Sequence, residues 1–214
     1  MRRLAMIVVM VAALVSASCI RRDSAATWYV DAAGHVTWSI LERDIRSDSA
    51  ARNDRETEES QFIAAVKSQT HGAARGLARL GASQLKVTIL QEKPPFTVLT
   101  EGQFPGLGEM GTRLITRFGL SGESVVTRDG NTWTWTMHIS DPKASSSAEP
   151  EKDGDELGDL LGDRLTVALR EGRFIGATGF ALDDEARIAT LKKEDKLDIG
   201  EDGVLRMMLR WEIK

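Results

Sequence analysis

Residues 124–139 constrain the fold more than any other stretch of the chain. From Thr132 to Ile139 large apolar and polar side chains alternate, and Asp129-Gly130 separates this run from Ser124 to Arg128. Alternation sends successive side chains to opposite faces of a strand. An Asp-Gly pair tolerates the positive φ angles that a two-residue hairpin turn requires. The spacing predicts a hairpin with Val126 opposite Trp133 and Ser124 opposite Trp135. Trp133, Trp135, Met137 and Ile139 then share one face, with Thr132, Thr134, Thr136 and His138 on the other. The last segment, Val204 to Ile213, repeats the pattern. Leu205, Met207, Leu209, Trp211 and Ile213 point one way; Arg206, Arg210 and Glu212 point the other, as in an antiparallel strand with one buried side. Trp133, Trp135, Met137 and Trp211 are therefore the candidate apolar surface, either core or the wall of a pocket.

The rest of the chain reads as strands around one helix. Thr27 to Asp31 and His35 to Leu41 flank Ala32-Ala33-Gly34 and form a hairpin, with His35 beside its turn. Residues 42–60 are crowded with charged and small polar groups, a connection or a solvated helix face. From about Thr57 to Leu80 the period becomes helical. Phe62, Val66, Ala73, Leu77 and Leu80 fall near one face, Gly81 is a stop, and His71 lies opposite Phe62 and is expected exposed. Gly72 and Gly76 each cost this helix roughly 1 kcal/mol relative to Ala, which close approach of the backbone to a sheet is expected to offset. Gln84 to Leu90 and Phe96 to Thr100 are strands separated by Pro94-Pro95, and Met110 to Phe118 is a short amphipathic helix. Arg164 to Arg170 and Arg173 to Leu182 predict a third hairpin turning at Glu171-Gly172, where Gly176 and Gly179 leave room for a neighbour or ligand. Asp183 to Lys196 reads as a short helix with Ile188 and Leu191 inward. Residues 141–156 carry no large apolar side chain and are expected to be a disordered loop within one domain.

The N-terminus sets location. Arg2 and Arg3 precede an unbroken apolar run from Leu4 to Val15, followed by Ser16-Ala17-Ser18 and then Cys19, the single cysteine. A run of about twelve residues is short of the roughly 20 that span a bilayer and suits a signal peptide. Ala17-Ser18-Cys19 resembles the end of a bacterial lipoprotein signal, although Ser16 stands where that family usually has Leu. The resemblance implies that residues 1–18 are removed and that Cys19 is acylated and becomes the first mature residue. It further implies anchoring through N-terminal acyl chains. Ile20 in second place, rather than Asp, resembles the class kept at the periplasmic face of the outer membrane where two membranes exist. Ordinary secretory cleavage, leaving Cys19 a free thiol, is the alternative. Residues 19–26 read as a tether and 27–214 as a single domain.

Chemistry is sparse. The net charge of −4 falls by two more when Arg2 and Arg3 leave, which gives no electrostatic reason to bind nucleic acid. His35, His71 and His138 are scattered over a loop, a helix and a strand. Ser121 misses the nucleophile elbow, and neither zinc nor calcium ligand spacing occurs. Gly106-Leu107-Gly108-Glu109-Met110-Gly111 spells G-x-G-x-x-G, but the strand before it carries Glu101 and Gln103 and is not a buried parallel strand, so a dinucleotide site is rejected. No catalytic residue, metal site or cofactor is nominated.

The expected class is α+β. It is a curved antiparallel sheet of about eight or nine strands, with one long helix and one or two short helices packed on one face. From Trp28 to Ile139 the order of elements is similar to that of LppM-type lipoproteins, which implies an association with envelope lipids or glycolipids. The expected function is that of a lipid-anchored, non-catalytic envelope protein that binds or assembles. Its partner is another envelope protein, or a lipid-like apolar ligand held between sheet and helix. A hydrolase with an unrecognised site is the remaining alternative.

Overall fold

Two antiparallel hairpins start the fold. β1 (Ile20–Val30) and β2 (Val36–Ser47) turn at Gly34, whose φ of 86° suits glycine, and their register sets Trp28 opposite Trp38. β3 (Ser83–Gln91) and β4 (Phe96–Phe104) form the second, and β4 pairs with β2. In this computed structural model, residues 20–140, 160–191 and 204–213 are described. The leader, Cys19, the loop expected at 141–156 and the end of the helix expected at Asp183 to Lys196 lie outside the described residues or partly so. The expected tether at residues 19–26 is replaced from Ile20 onward by strand, because Ile20 to Ala26 pair with β2.

The fold is α+β, with eleven strands in two sheets among the described residues. The later strands are β5 (Ser121–Asp129), β6 (Thr132–Ser140), β7 (Arg164–Leu169), β8 (Arg173–Thr178), β9 (Phe180–Leu182), β10 (Ile188–Leu191) and β11 (Leu205–Glu212). A seven-stranded sheet runs β3-β4-β2-β1-β7-β10-β9, and a four-stranded sheet runs β5-β6-β11-β8. Among the described residues the one parallel pairing is β1 with β7. Among the described residues the helices complete at both ends are α1 (Arg52–Lys67), α2 (Gly72–Arg79) and α3 (Leu107–Arg117).

The division into two sheets corrects the third hairpin. β7 and β8 follow each other in sequence but join different sheets, and β8 pairs with β11. Gly172 at φ 82° turns the chain from the first sheet to the second, and Gly179 at φ 79° returns it to β9. The helix expected from Asp183 is instead a turn followed by β10. The Asp183 carboxylate accepts the N–H groups of Arg187 and Ile188 at 2.8 and 2.9 Å, competing with helix formation. Ile188 accordingly points outward, at 42% exposed, and Ala189 is buried in its place.

The expected long helix is broken. Gln69 takes a φ of 58°, which ends α1 and restarts the helical phase at α2. The β5–β6 register also differs from expectation. Asp129 pairs with Thr132, so the turn is Gly130-Asn131, and Val126 faces Trp135 while Ser124 faces Met137. The shared face survives, since a shift of two residues preserves the alternation.

The core fills the space between the sheets. Trp28 meets Trp38 and Trp135 edge to face, with centroids 5.2 and 6.0 Å apart. Met110, Leu114 and Ile115 of α3 and Leu77 of α2 close it from the helical side. Ile45, Val66, Phe96 and Val98 form a smaller cluster under α1. Gly76 does provide a close approach, but to the Leu160 side chain; a Cβ there would lie 2.8 Å from Leu160 Cδ2.

Candidate functional site

The start of α3, the β1–β2 turn and one end of the four-stranded sheet enclose a cleft. Its volume is about 330 Å³, and Gly34, Pro105, Gly106, Leu107, Gly108, Glu109, Val126, Trp133 and Trp211 line it together with Ala33. That is near the lower end of the range for small-molecule sites, roughly 300 Å³. Trp133 and Trp211 are cross-strand neighbours whose rings stack 5.9 Å apart and 6° from parallel. The Arg128 guanidinium lies 4.8 Å from the Trp133 ring centre, a cation–π contact across the next strand pair. Trp133 is only partly buried, whereas Trp211 is buried.

Of the four candidate residues, two line this cleft and two do not. Trp135 and Met137 are core. The Trp135 indole N–H donates to Ser124 Oγ at 2.9 Å, and Ser124 Oγ in turn donates to the Leu107 carbonyl at 3.3 Å. This links the four-stranded sheet to the first turn of α3. The glycines of the 106–111 motif serve the same packing. A Cβ on Gly108 would lie 3.4 Å from the Val126 nitrogen, and one on Gly111 would lie 2.2 Å from Ser124 Oγ. They bring helix against strand, which accounts for the motif without a nucleotide.

A second polar group was missed by sequence reasoning. His71 is buried at 4% exposed, not solvent-facing as expected. Its Nε2 is 3.0 Å from Thr100 Oγ1 and 3.5 Å from Glu42 Oε2, and Arg22 Nε reaches Glu42 Oε1 at 3.2 Å. Phe62 packs edge-on against the imidazole. The set superficially suits acid–base chemistry. A relay, however, needs acid and hydroxyl on opposite ring nitrogens. Here both address Nε2, while Nδ1 is buried without a partner. Thr100 and Glu42 are also closed off from solvent, so the geometry describes a structural polar group. His35, beside Asp31, and His138, beside Glu123, are at the surface as expected.

The outward face of the seven-stranded sheet carries a wide hollow of about 530 Å³, lined by Ala25, Thr27, Tyr29, Ser39, Leu41, Leu99, Glu101 and Arg170. Register places its hydroxyls on one rung: Ser39 faces Thr27, and Thr27 faces Thr166 with their oxygens 2.9 Å apart. Leu41, Leu99 and Ala25 form an apolar rung beside it.

Among the described residues no helix is long and apolar enough to cross a membrane, and no group of three or more metal-ligating side chains occurs. No protein-family model matches the chain, and no curated protein does. Among solved structures it is similar to the folded domain of the Mycobacterium tuberculosis LppM protein, determined by NMR. The identity is 12%, 92% of each chain is covered, and the TM-score is 0.39.

Proposed function

We propose that this is a lipid-anchored, non-catalytic binding module of the bacterial envelope, which holds the apolar part of a lipid-like ligand in the cleft between α3 and the four-stranded sheet. The observation that carries the reading is the partly exposed Trp133, stacked on Trp211, packed beside Gly34 and lining one cleft with Gly106 and Gly108. An aromatic floor with few convergent polar groups suits apolar contact more than bond-breaking chemistry. Anchoring at the envelope rests on the Ala17-Ser18-Cys19 pattern. Native mass spectrometry of the protein purified from its own cells tests the reading. A co-purifying lipid that is lost in Trp133→Ala supports it. A ligand-free protein in a defined protein complex would replace it with an assembly role. Turnover of an envelope substrate, abolished by a single substitution, would replace it with an enzyme.

The second reading has one specific observation behind it. Tyr29 and Ile188 are exposed on the outward face of the seven-stranded sheet, beside the 530 Å³ hollow. That face has the breadth to cover a protein partner, and Leu41→Glu would abolish such a complex while leaving the cleft intact.

A further inference from the structure

We infer that the hollow on the outward face of the seven-stranded sheet binds an α-amino acid with an apolar side chain. Its ammonium lies at Glu101, its carboxylate at Arg170 and its side chain against Leu41 and Leu99. The site is separate from the cleft at α3, and the inference does not depend on what occupies that cleft. Register sets three rows of side chains across this face. Leu99, Leu41 and Ala25 form the first, Glu101, Ser39 and Thr27 the second, and Thr37 and Tyr29 the third. Arg170, directly after β7, reaches over the third row. Its Nη2 donates to Thr37 Oγ1 at 3.4 Å, and its guanidinium carbon lies 6.0 Å from the Tyr29 ring centre. Alternate residues of a strand lie about 7 Å apart, so the rows span about 14 Å. One α-carbon over the middle row spans that distance with its three substituents and their contacts.

Two unpaired charges and one unpaired hydroxyl set the ligand's chemistry. Glu101 and Arg170 line the same hollow, yet neither makes an ion pair among the described residues. Lys86 faces Glu101 from β3 but forms no ion pair with it and does not line the hollow. Opposite charges held apart in one concavity suit a ligand that carries both, and a carboxylate matches the two-pronged guanidinium. A phosphate alone or a simple amine answers one charge and leaves the other unmatched. Ser39 lies between the two, 8% exposed, and its hydroxyl has no hydrogen-bond partner among the described residues. A buried hydroxyl is costly unless something hydrogen-bonds it, and a polar group over the middle row does so. Thr27 is already engaged, with its hydroxyl 2.9 Å from that of Thr166. The row of Leu41, Leu99 and Ala25 then favours an apolar side chain over none. The volume of about 530 Å³ falls within the range of small-molecule sites, roughly 300–1,000 Å³.

The test is calorimetric titration of L-leucine into the detergent-solubilised protein, purified from its own cells and dialysed. A Kd of about 1 mM or tighter is expected. N-acetyl-L-leucine lacks the ammonium, leucinamide lacks the carboxylate and glycine lacks the side chain. Each is expected to bind about tenfold more weakly, as the loss of one charge-assisted hydrogen bond or one apolar side chain implies. Glu101→Gln should weaken L-leucine about tenfold and leave N-acetyl-L-leucine unchanged. Arg170→Gln should weaken L-leucine by a similar factor and leave leucinamide unchanged. A general loss of structure would weaken all the ligands together, which these pairings distinguish. Arg170 is exposed, so its variant remains a test even if Glu101→Gln loses stability. Three results overturn the inference: no saturable heat from L-leucine, equal affinity for the three analogues, or L-leucine binding unchanged in both variants.

Discussion

Glu42 Oε2 lies 3.5 Å from His71 Nε2, and both side chains are 2% exposed. Removing Glu42 takes the nearest carboxylate from the buried imidazole and from Arg22. Orphaning a buried polar group costs about 1–3 kcal/mol. Thr100 still meets Nε2, so Glu42→Ala is expected to cost about 2 kcal/mol in urea unfolding. A cost under about 1 kcal/mol would show that water reaches the site and that the pair is not buried in solution.

Gly76 is a helix position where alanine should be worse than glycine. Propensity favours Ala by about 1 kcal/mol. Against this, the new Cβ would lie 2.8 and 2.9 Å from Leu160 Cδ2 and Cγ. Overpacking of that kind costs about 1–3 kcal/mol. Gly76→Ala is expected to lower stability by about 1 kcal/mol net, and Gly76→Ala with Leu160→Ala to show coupling between the sites. Additive effects in the double-mutant cycle would mean that Leu160 swings aside at no cost.

Local patterns were legible; the places where the chain changes layer were not. Alternation identified β6 and β11 with their inward faces, because burial of one face leaves a period of two. The turn was misplaced because Gly130 satisfies positive φ equally well as the first or second residue of a two-residue loop. His71 was misplaced for a different reason. A single helical phase was carried through Ser68-Gln69-Thr70, and the left-handed Gln69 rotates everything after it. That polar run was the available signal. β7 and β8 are adjacent in sequence, and nothing in Glu171-Gly172 distinguishes a hairpin from a passage between sheets. In the cleft, Trp133 and Trp211 were nominated by their stripes. Gly34 and Gly106 were not, since only the folded chain brings the β1–β2 turn to the start of α3.

Cys19 should carry acyl chains, with Ile20 the second mature residue. One chain gives marginal binding and two give stable anchoring. Mass spectrometry of the mature N-terminus checks this. An unmodified thiol at Cys19 would remove the anchor and, with it, the envelope location proposed above.

Gly111 supplies the sharpest test of what the 106–111 glycines do. If they only pack α3 against β5, harm from a side chain should follow the space at each position, not the motif. At Gly111 an added Cβ meets Ser124 Oγ at 2.2 Å and Ser124 Cβ at 2.7 Å. Ser124 cannot yield freely, because it accepts the Trp135 N–H and bonds the Leu107 carbonyl. At Gly108 the nearest atom is 3.4 Å away, an ordinary contact. Gly111→Ala is therefore expected to cost about 2–3 kcal/mol, while Gly108→Ala stays within about 1 kcal/mol of the parent because helix propensity offsets the tighter fit. Ser124→Ala alone should cost about 1–2 kcal/mol through the orphaned Trp135 N–H. Gly111→Ala with Ser124→Gly should recover part of the loss by opening the space the methyl needs. Thermal unfolding of the four variants decides it. Equal losses at Gly108 and Gly111, or no recovery in the double variant, would show that the motif holds the backbone for some purpose other than this contact.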